Sequence, residues 1–428
     1  MLYSPNLAFR LLGFAGAPRV RYEMYPQQLS VLGTGRPFVI DLARRQSSIA
    51  QRTRQLAGEV ARVAGEICLV PAPTGQEHDR AHFVADLFER RRYRAEVTAD
   101  PNVLVTRPGA GAGLILLSAH LDTVFPLETE LFVRAEGHRL RGPGIGDNSL
   151  GLAAAIGLFD LLDTLEVETS ADIVLVADAG EEGLGNLRGM RSAVEHFGEE
   201  ISAVIAIEGH NLGRITTGGA GSLRLRVLVT GPGGHSWGAW GQPSAIHALG
   251  DILSAWNRIK LPERPRTTFN VGTVNGGTSV NTIASAAEAV VDLRSVDPLA
   301  LERLAREVRD LALAAERPGI SITLETLGER PAGSISSSHP LVRVARLAAR
   351  EAGVRADLDI SSTSANVPLA LGIPAVCVGI TVGGRGHSID EYIDVRQIPR
   401  GLHQLTNLVM HTDDLIRNGA IGQGGANG

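Results

Sequence analysis

Leu114-Ile115-Leu116-Leu117-Ser118-Ala119-His120-Leu121-Asp122-Thr123-Val124 decides how the rest of the chain is read. The apolar run Leu114 to Leu117 reads as a buried strand. Side chains two apart on an extended chain point the same way, so His120 and Asp122 leave the strand on one face. A carboxylate beside an imidazole fixes its tautomer and raises its basicity, which is how metal-binding histidines are supported. Alone, the stretch reads more simply as a strand ending in two polar residues. Two further apolar runs follow the same plan: Asp172–Ala177 ends in Asp178-Ala179-Gly180-Glu181-Glu182-Gly183, and Val204–Ile207 ends in Glu208. Apolar strands separated by helices predict a βαβ-built, largely parallel sheet, and ligand sites of such sheets lie at the strands' C-terminal ends.

A chain of 428 residues is too long for one simple core, so two domains are expected. Lys plus Arg number 41 against 46 Asp plus Glu, a net charge of −5 that argues against a nucleic-acid footprint. Aromatics make up 4%, which leaves no base-stacking platform. Cys68 and Cys377 sit in apolar surroundings and read as buried thiols, not as a disulfide or a thiolate metal site. The apolar run Leu7 to Ala17 is interrupted by Arg10 and is followed by no convincing cleavage site. No uncharged apolar stretch reaches the length of a membrane span. The expectation is a soluble, cytoplasmic protein that acts on a small molecule, with neither nucleic acid nor membrane as partner.

Along the chain, residues 1–50 are punctuated by Pro and Gly and read as an N-terminal arm that packs on the body or joins an oligomer interface. Helical spacing begins at Gln51 and runs to Ile67, and a second helix covers Glu77 to Arg92. The glycine-rich turn Gly142–Ser149 opens onto an Ala/Leu-rich helix, Leu150 to Leu162. The style then changes: Leu223, Leu225, Val227 and Val229 alternate with Arg224 and Arg226, a half-exposed antiparallel strand. With helices at 245–259 and 299–316 and strands at 267–274, 287–294 and 321–325, the order is β-α-β-β-α-β, a split βαβ unit. Residues 220–327 are therefore predicted to be a domain inserted into an α/β body made of 51–219 and 328–428.

Five metal-competent side chains gather at the polar strand ends and loops: His120, Asp147, Glu182, Glu208 and His387. Imidazoles and carboxylates without thiolates suit one or two divalent ions, Zn²⁺, Mn²⁺ or Co²⁺, at a hydrolytic centre. One carboxylate shared between two ions makes a two-metal clamp. Glu181 projects differently from its neighbour Glu182, so one can ligate while the other acts as general base. A solvated Glu-Glu turn is the plainer alternative, and the joint occurrence at successive strand ends weighs against it.

Ser-Ala-His-Leu-Asp (118–122), Gly-Ile-Gly-Asp-Asn (144–148), Gly-Glu-Glu (180–182), Ile-Glu-Gly (207–209), Gly-Pro-Gly-Gly-His-Ser (231–236) and Gly-His-Ser-Ile-Asp-Glu (386–391) come in that order. In order and spacing the chain resembles the M20 family of metallopeptidases and deacylases, which includes glutamate carboxypeptidase, acetylornithine deacetylase and tripeptidases. The resemblance implies an α/β fold, with a phosphorylase/hydrolase-like mixed-sheet catalytic domain and an inserted α+β ferredoxin-like domain that serves as lid and dimerisation surface. It implies His120, Asp147 and Glu208 on one metal, and Asp147, Glu182 and His387 on the other, with Asp147 bridging. It also implies Asp122 as the group that orients His120, Glu181 as general base, and His235 as an oxyanion donor to the partner subunit of a homodimer. Asn281 and Arg294 correspond to lid residues that contact substrate, although Arg294 alternates with Asp292 and could be a surface ion pair.

Two departures bear on substrate. Ser364 stands where many relatives carry Asp, removing a negative charge near the expected pocket, and Arg385 places a positive charge beside His387. Together they suit an anionic substrate. The implied activity is hydrolysis of a C–N bond in a peptide or N-acyl amino acid. The alternatives are an aminohydrolase that releases ammonia from an aryl amine such as an aminobenzoate, and a non-catalytic binding module. His210, His247, His339 and His403 match no role in the family and read as structural or exposed.

Overall fold

Helices α1 (Arg36–Cys68) and α2 (His78–Glu89) lead into strands β1 (Ala95–Val97), β2 (Val103–Arg107) and β3 (Leu114–His120) of a computed structural model that describes residues 36–422. The hairpin β4 (Arg134–Glu136) and β5 (Arg139–Arg141) precedes α3 (Gly151–Thr164), β6 (Asp172–Asp178), α4 (Arg188–Phe197), β7 (Ile201–Glu208) and β8 (Arg214–Gly219). The second unit comprises β9 (Gly221–Thr230), β10 (Gly234–His235), α5 (Ala245–Trp256), β11 (Thr267–Gly276), β12 (Thr282–Ile283), β13 (Ala286–Ser295), α6 (Pro298–Leu313) and β14 (Ser321–Arg330). The chain then returns through β15 (Gly333–Ser334), α7 (Pro340–Glu351), β16 (Asp357–Ser361), α8 (Asn366–Ala370), β17 (Ala375–Gly379), β18 (Gly383–Gly384), β19 (Tyr392–Asp394) and α9 (Ile398–Arg417).

The large sheet runs β1-β2-β6-β3-β7-β17-β8-β15, with β16 also on β8. Its centre, β6-β3-β7-β17, is parallel, while β1, β2, β8 and β15 pair antiparallel at the flanks, so the sheet is mixed. All seven positions of β3 are buried, because helices cover both faces. Ile115, Leu117 and Ala119 enter one core with α3 and α9, and Leu114 and Leu116 enter another with α4. The segment Ile145–Thr164 is long and apolar enough to cross a membrane, yet it carries Asp147, Asp160 and Asp163 and so is no uncharged stretch; 89% of its most apolar window is buried inside the protein, as in a core helix.

The second unit is a four-stranded antiparallel sheet, β11-β13-β9-β14, in β-α-β-β-α-β order. Leu223, Leu225, Val227 and Val229 of β9 pack under α5 and α6, forming a core separate from that of the large sheet. Trp256 lies in this core, and its indole N–H donates to the Val308 carbonyl at 3.0 Å. Asp297 caps α6 by accepting from the Ala300 amide at 2.7 Å, ahead of Pro298 at the first helical position.

Two differences from the sequence reading stand out. The arm expected over 1–50 lies outside the described residues as far as Gly35, and residues 36–50 belong to α1. A small antiparallel sheet, β18-β19-β5-β4, was not foreseen; its strands have two or three residues each, too few to show a period.

Candidate metal centre

The parallel register brings the strand ends together. His120, the last residue of β3, lies opposite Asp178, the last of β6, and Gly379 of β17 lies opposite Glu208 of β7. The turn after β6 carries Glu181 and Glu182, and the segment after β17 carries His387. Asp147 arrives from the glycine-rich loop between β5 and α3. Gly144 there has φ of 75°, a backbone region open to glycine at little cost. Buried Asn148 ties this loop to β7: its side-chain amide donates to Ile207 O at 2.8 Å, and its Oδ1 accepts from Gly209 N at 3.0 Å.

Asp147 is shared. Its Oδ1 lies 2.9 Å from His120 Nε2 and its Oδ2 lies 3.2 Å from His387 Nε2. His387 Nε2 is also 2.9 Å from Glu182 Oε1, and His120 Nε2 is 3.9 Å from Glu208 Oε2. Ligand atoms of His120, Asp147 and Glu208 lie within 4.8 Å of one another, as do those of Asp147, Glu182 and His387. A further trio, His120, Glu181 and Glu182, meets the same distance.

The donor set fits divalent cations. Four carboxylates and two imidazoles, with no thiolate, crowd together: His120, Glu181 and Glu182 are buried, Asp147 and Glu208 partly so, and His387 is exposed. Burial pushes Glu208 up to about 8 and raises Glu181 and Glu182 against the pull of His120. Hydrogen bonds to His120 and His387 hold Asp147 far below the usual range despite its burial. Asp147, and after it Glu182, raises His387 to about 9 against the effect of its burial. Burial opposes protonation of His120, yet Asp122 and Asp147 raise it well above normal. Positive charge is thus favoured at both histidines, a demand that a divalent cation would meet.

Asp122 has a different load from the one read in the sequence. His120 Nδ1 donates to the Asp122 backbone carbonyl at 2.9 Å, while the nearer carboxylate oxygen is 3.7 Å away. That carboxylate accepts from Glu181 N at 2.9 Å, Glu182 N at 2.8 Å and Thr74 Oγ1 at 2.8 Å. It therefore holds the Glu181-Glu182 turn. Fully buried Arg80 pins the backbone nearby, donating to the carbonyls of Val70 and Leu121, both at 2.9 Å.

Glu181 is buried against Arg330, the last residue of β14. The guanidinium donates to Glu181 Oε1 at 3.2 Å, to the Glu181 carbonyl, and to Ser362 Oγ at 3.1 Å. Sequence reasoning passed over Arg330, since a buried arginine at a strand end leaves no periodic mark.

The residues proposed for substrate fare differently. Ser364 is buried and donates to the carboxylate of Asp178, which also accepts from Ser118 Oγ at 2.8 Å; this corrects the expectation that it faces substrate. Arg385 pairs with Asp390 at 3.0 Å and Arg294 with Asp292 at 2.7 Å, both on the surface. His235 and Asn281 come together at the tip of the second unit, where β10 pairs with β12 and Ser236 N donates to Asn281 O at 3.0 Å. Exposed His235 accepts from Trp237 N and Gly238 N through Nδ1, each at 3.2 Å, which leaves Nε2 to carry the proton. Among the described residues, no hydrogen bond or ion pair joins His235 or Asn281 to the ligand set.

A mixed α/β body with carboxylate and imidazole trios at its parallel strand ends, and a ferredoxin-like unit inserted beside them, defines a metal-dependent hydrolase of C–N bonds. The chain belongs to peptidase family M20/M25/M40, whose profile matches residues 116–411. It is 27% identical over 342 residues to a succinyl-diaminopimelate desuccinylase of Corynebacterium glutamicum, covering 77% of this chain and 90% of that protein. Its fold is similar to that of a Staphylococcus aureus tripeptidase, with a TM-score of 0.72 at 19% identity over 84% of this chain and 99% of the other. A Bacillus subtilis dinuclear metal-binding peptidase of the M20 family aligns with a TM-score of 0.62 at 17% identity, over 85% and 99% of the two chains.

Proposed function

We propose that this protein hydrolyses the C–N bond of a small carboxylate-bearing peptide or N-acyl amino acid, with Glu181 as general base. The observation that carries this reading is Asp147 standing between two trios, with one oxygen toward His120 and the other toward His387. His120, Asp147 and Glu208 would hold one ion, and Asp147, Glu182 and His387 the other. Zn²⁺, Mn²⁺ or Co²⁺ suits these donors. When bound, the ions acidify water and draw electron density from the substrate carbonyl.

The chain's own residues do the rest. Glu181 takes a proton from the attacking water as its oxygen bonds to the carbonyl carbon. The same carboxyl returns the proton to the amine nitrogen as the C–N bond breaks. Burial holds Glu181 above the usual carboxylate range, suiting it to carry that proton between the two steps. Asp122 fixes the turn on which the base stands, and Arg330 orients it. Thr74, Val124, Pro126, Leu184 and Arg188 line an open cleft beside this turn, where an apolar part of the substrate fits. Arg294 and Arg385 stand in exposed ion pairs, worth roughly 0–1 kcal/mol, that a substrate carboxylate can displace.

The second unit acts as lid and dimerisation surface, and His235 of one copy steadies the oxyanion in the other. Trp237 and Trp240 are each 88% exposed beside His235, with Val280 fully exposed next to Asn281, an apolar tip suited to burial against a second copy. Two buried free thiols and the absence of a disulfide among the described residues suit a reducing cytoplasm. Deamination has less support, since the relatives above are named as a desuccinylase and peptidases.

The test is a screen of dipeptides, N-acyl amino acids and aromatic amines with Mn²⁺- and Zn²⁺-loaded protein, scoring free amine and ammonia separately. Amine or amino acid released from an amide supports the reading; ammonia from an aryl amine, with amides untouched, overturns it.

A further inference from the structure

Glu391 is fully buried, although it stands in the turn that leads into β19. A buried carboxylate is tolerated only where its oxygens are hydrogen-bonded throughout. Here four donors converge: Gly144 N on Oε2 at 3.1 Å, and Gly146 N, Asp147 N and His210 Nε2 on Oε1 at 2.8, 2.8 and 2.9 Å. Three of them are backbone amides of the glycine-rich loop, and one belongs to Asp147 itself. The Glu391 backbone joins in, its carbonyl accepting from Gly142 N at 3.0 Å.

His210 completes the arrangement from the other side. It lies two residues after Glu208, and its ring fills the space that side chains at 146 and 383 would need. A Cβ on Gly146 would stand 2.2 Å from His210 Nε2, and one on Gly383 would stand 2.5 Å from its Nδ1. Both positions are glycine. The pair therefore locks three segments together: the end of β7 with Glu208, the loop with Asp147, and the 383–391 turn with His387.

We propose that Glu391, braced by His210, is a positioning residue that sets where the Asp147 carboxylate stands between the two ligand trios. The proposal rests on the reading of Asp147 as the shared ligand. Partners that orient metal ligands typically cost about ten- to a hundredfold in metal affinity when removed. Glu391→Gln keeps the shape of the side chain, but its NH₂ group must face at least one loop amide. His210→Ala removes the fourth donor and the packing, whereas His210→Gln restores an N–H donor.

The experiment titrates metal-stripped full-length protein with Mn²⁺ and Zn²⁺ against a competing chelator, alongside thermal unfolding of the metal-free forms. Wild type should take up two ions. Glu391→Gln should bind both about ten- to a hundredfold more weakly, while its metal-free form still unfolds cooperatively at a modestly lower melting temperature. His210→Ala should weaken both ions as well, with partial rescue in His210→Gln. Wild-type affinity for both ions in folded Glu391→Gln overturns the proposal. So does weakening of a single ion, which would confine Glu391 to its own turn. Should Glu391→Gln fail to fold, His210→Ala decides by the same criteria. A wild type that takes up no divalent ion overturns the ligand reading itself, and the positioning role with it.

Discussion

Replacing Asp122 by asparagine separates two roles for this residue. The carboxylate is fully buried and accepts from the amides of Glu181 and Glu182, at 2.9 and 2.8 Å, and from the Thr74 hydroxyl at 2.8 Å. The Thr74 hydroxyl can turn, but the two amides cannot. Whichever way the substituted side chain lies in Asp122→Asn, its NH₂ group confronts one of them. A buried amide left unsatisfied costs about 1–3 kcal/mol, and the surviving bond loses its charge assistance. At ~1.4 kcal/mol per decade, a loss of about 3 kcal/mol in holding the Glu181-Glu182 turn lowers kcat roughly a hundredfold. The ion held by Glu182 and His387 should weaken more than the one held by His120 and Glu208. Amine release at saturating Mn²⁺ gives kcat, and chelator competition gives the two affinities. A variant with kcat within about twofold of wild type and both ions in place refutes this account. Selective loss of the His120 ion would show instead that aiming His120 is what Asp122 chiefly does.

Other perturbations probe separate parts of the molecule. Burial pushes His403 down to about 4, and its Nε2 contacts Gln46 Oε1 at 2.7 Å, so the folded state keeps it neutral while the unfolded chain protonates near 6.5. Its contribution is present above pH 6.5 and is lost as pH falls toward 4, about 3 kcal/mol in all by proton linkage. Urea unfolding at pH 7 and pH 4.5 should show a smaller drop in His403→Gln than in wild type; equal drops contradict it. Arg330→Met should lower kcat at least about tenfold with both ions retained, because the base loses its buried partner; unchanged kcat removes Arg330 from the mechanism. Trp256→Ala should cost about 3–5 kcal/mol in the core of the second unit yet leave ion stoichiometry intact. Loss of metal in that variant would mean that the two cores are not independent.

What was legible in the sequence follows from the range of the interactions. β3, β6 and β7 show as apolar runs because each is buried on both faces, and β9 shows as alternation because only one face is covered. Polar residues at the ends of such runs announce themselves, so His120, Glu181, Glu182 and Glu208 could be picked out before their geometry was known. Asp147 and His387 came with their motifs. Contacts between distant segments leave no such trace. Glu391 meets the loop around Asp147 across 244 positions, and Arg330 meets Glu181 across 149. The two-residue spacing of His120 and Asp122 suggested a direct carboxylate–imidazole bond, but the backbone carbonyl takes the Nδ1 proton and frees the carboxylate for the next turn. Ser364 followed the same logic: position in a motif suggested the pocket, while the fold turns its hydroxyl to buried Asp178.

The central claim is that Glu181 moves the proton for hydrolysis at a two-ion centre, and Glu181→Gln tests it most directly. The measurement pairs metal content with the rate of amine release from the best amide substrate of the screen. The account predicts two ions retained and kcat reduced by about 10²–10⁴-fold, the contribution of a well-placed general base. A Glu181→Gln enzyme that keeps its ions and turns over at close to the wild-type rate would contradict it.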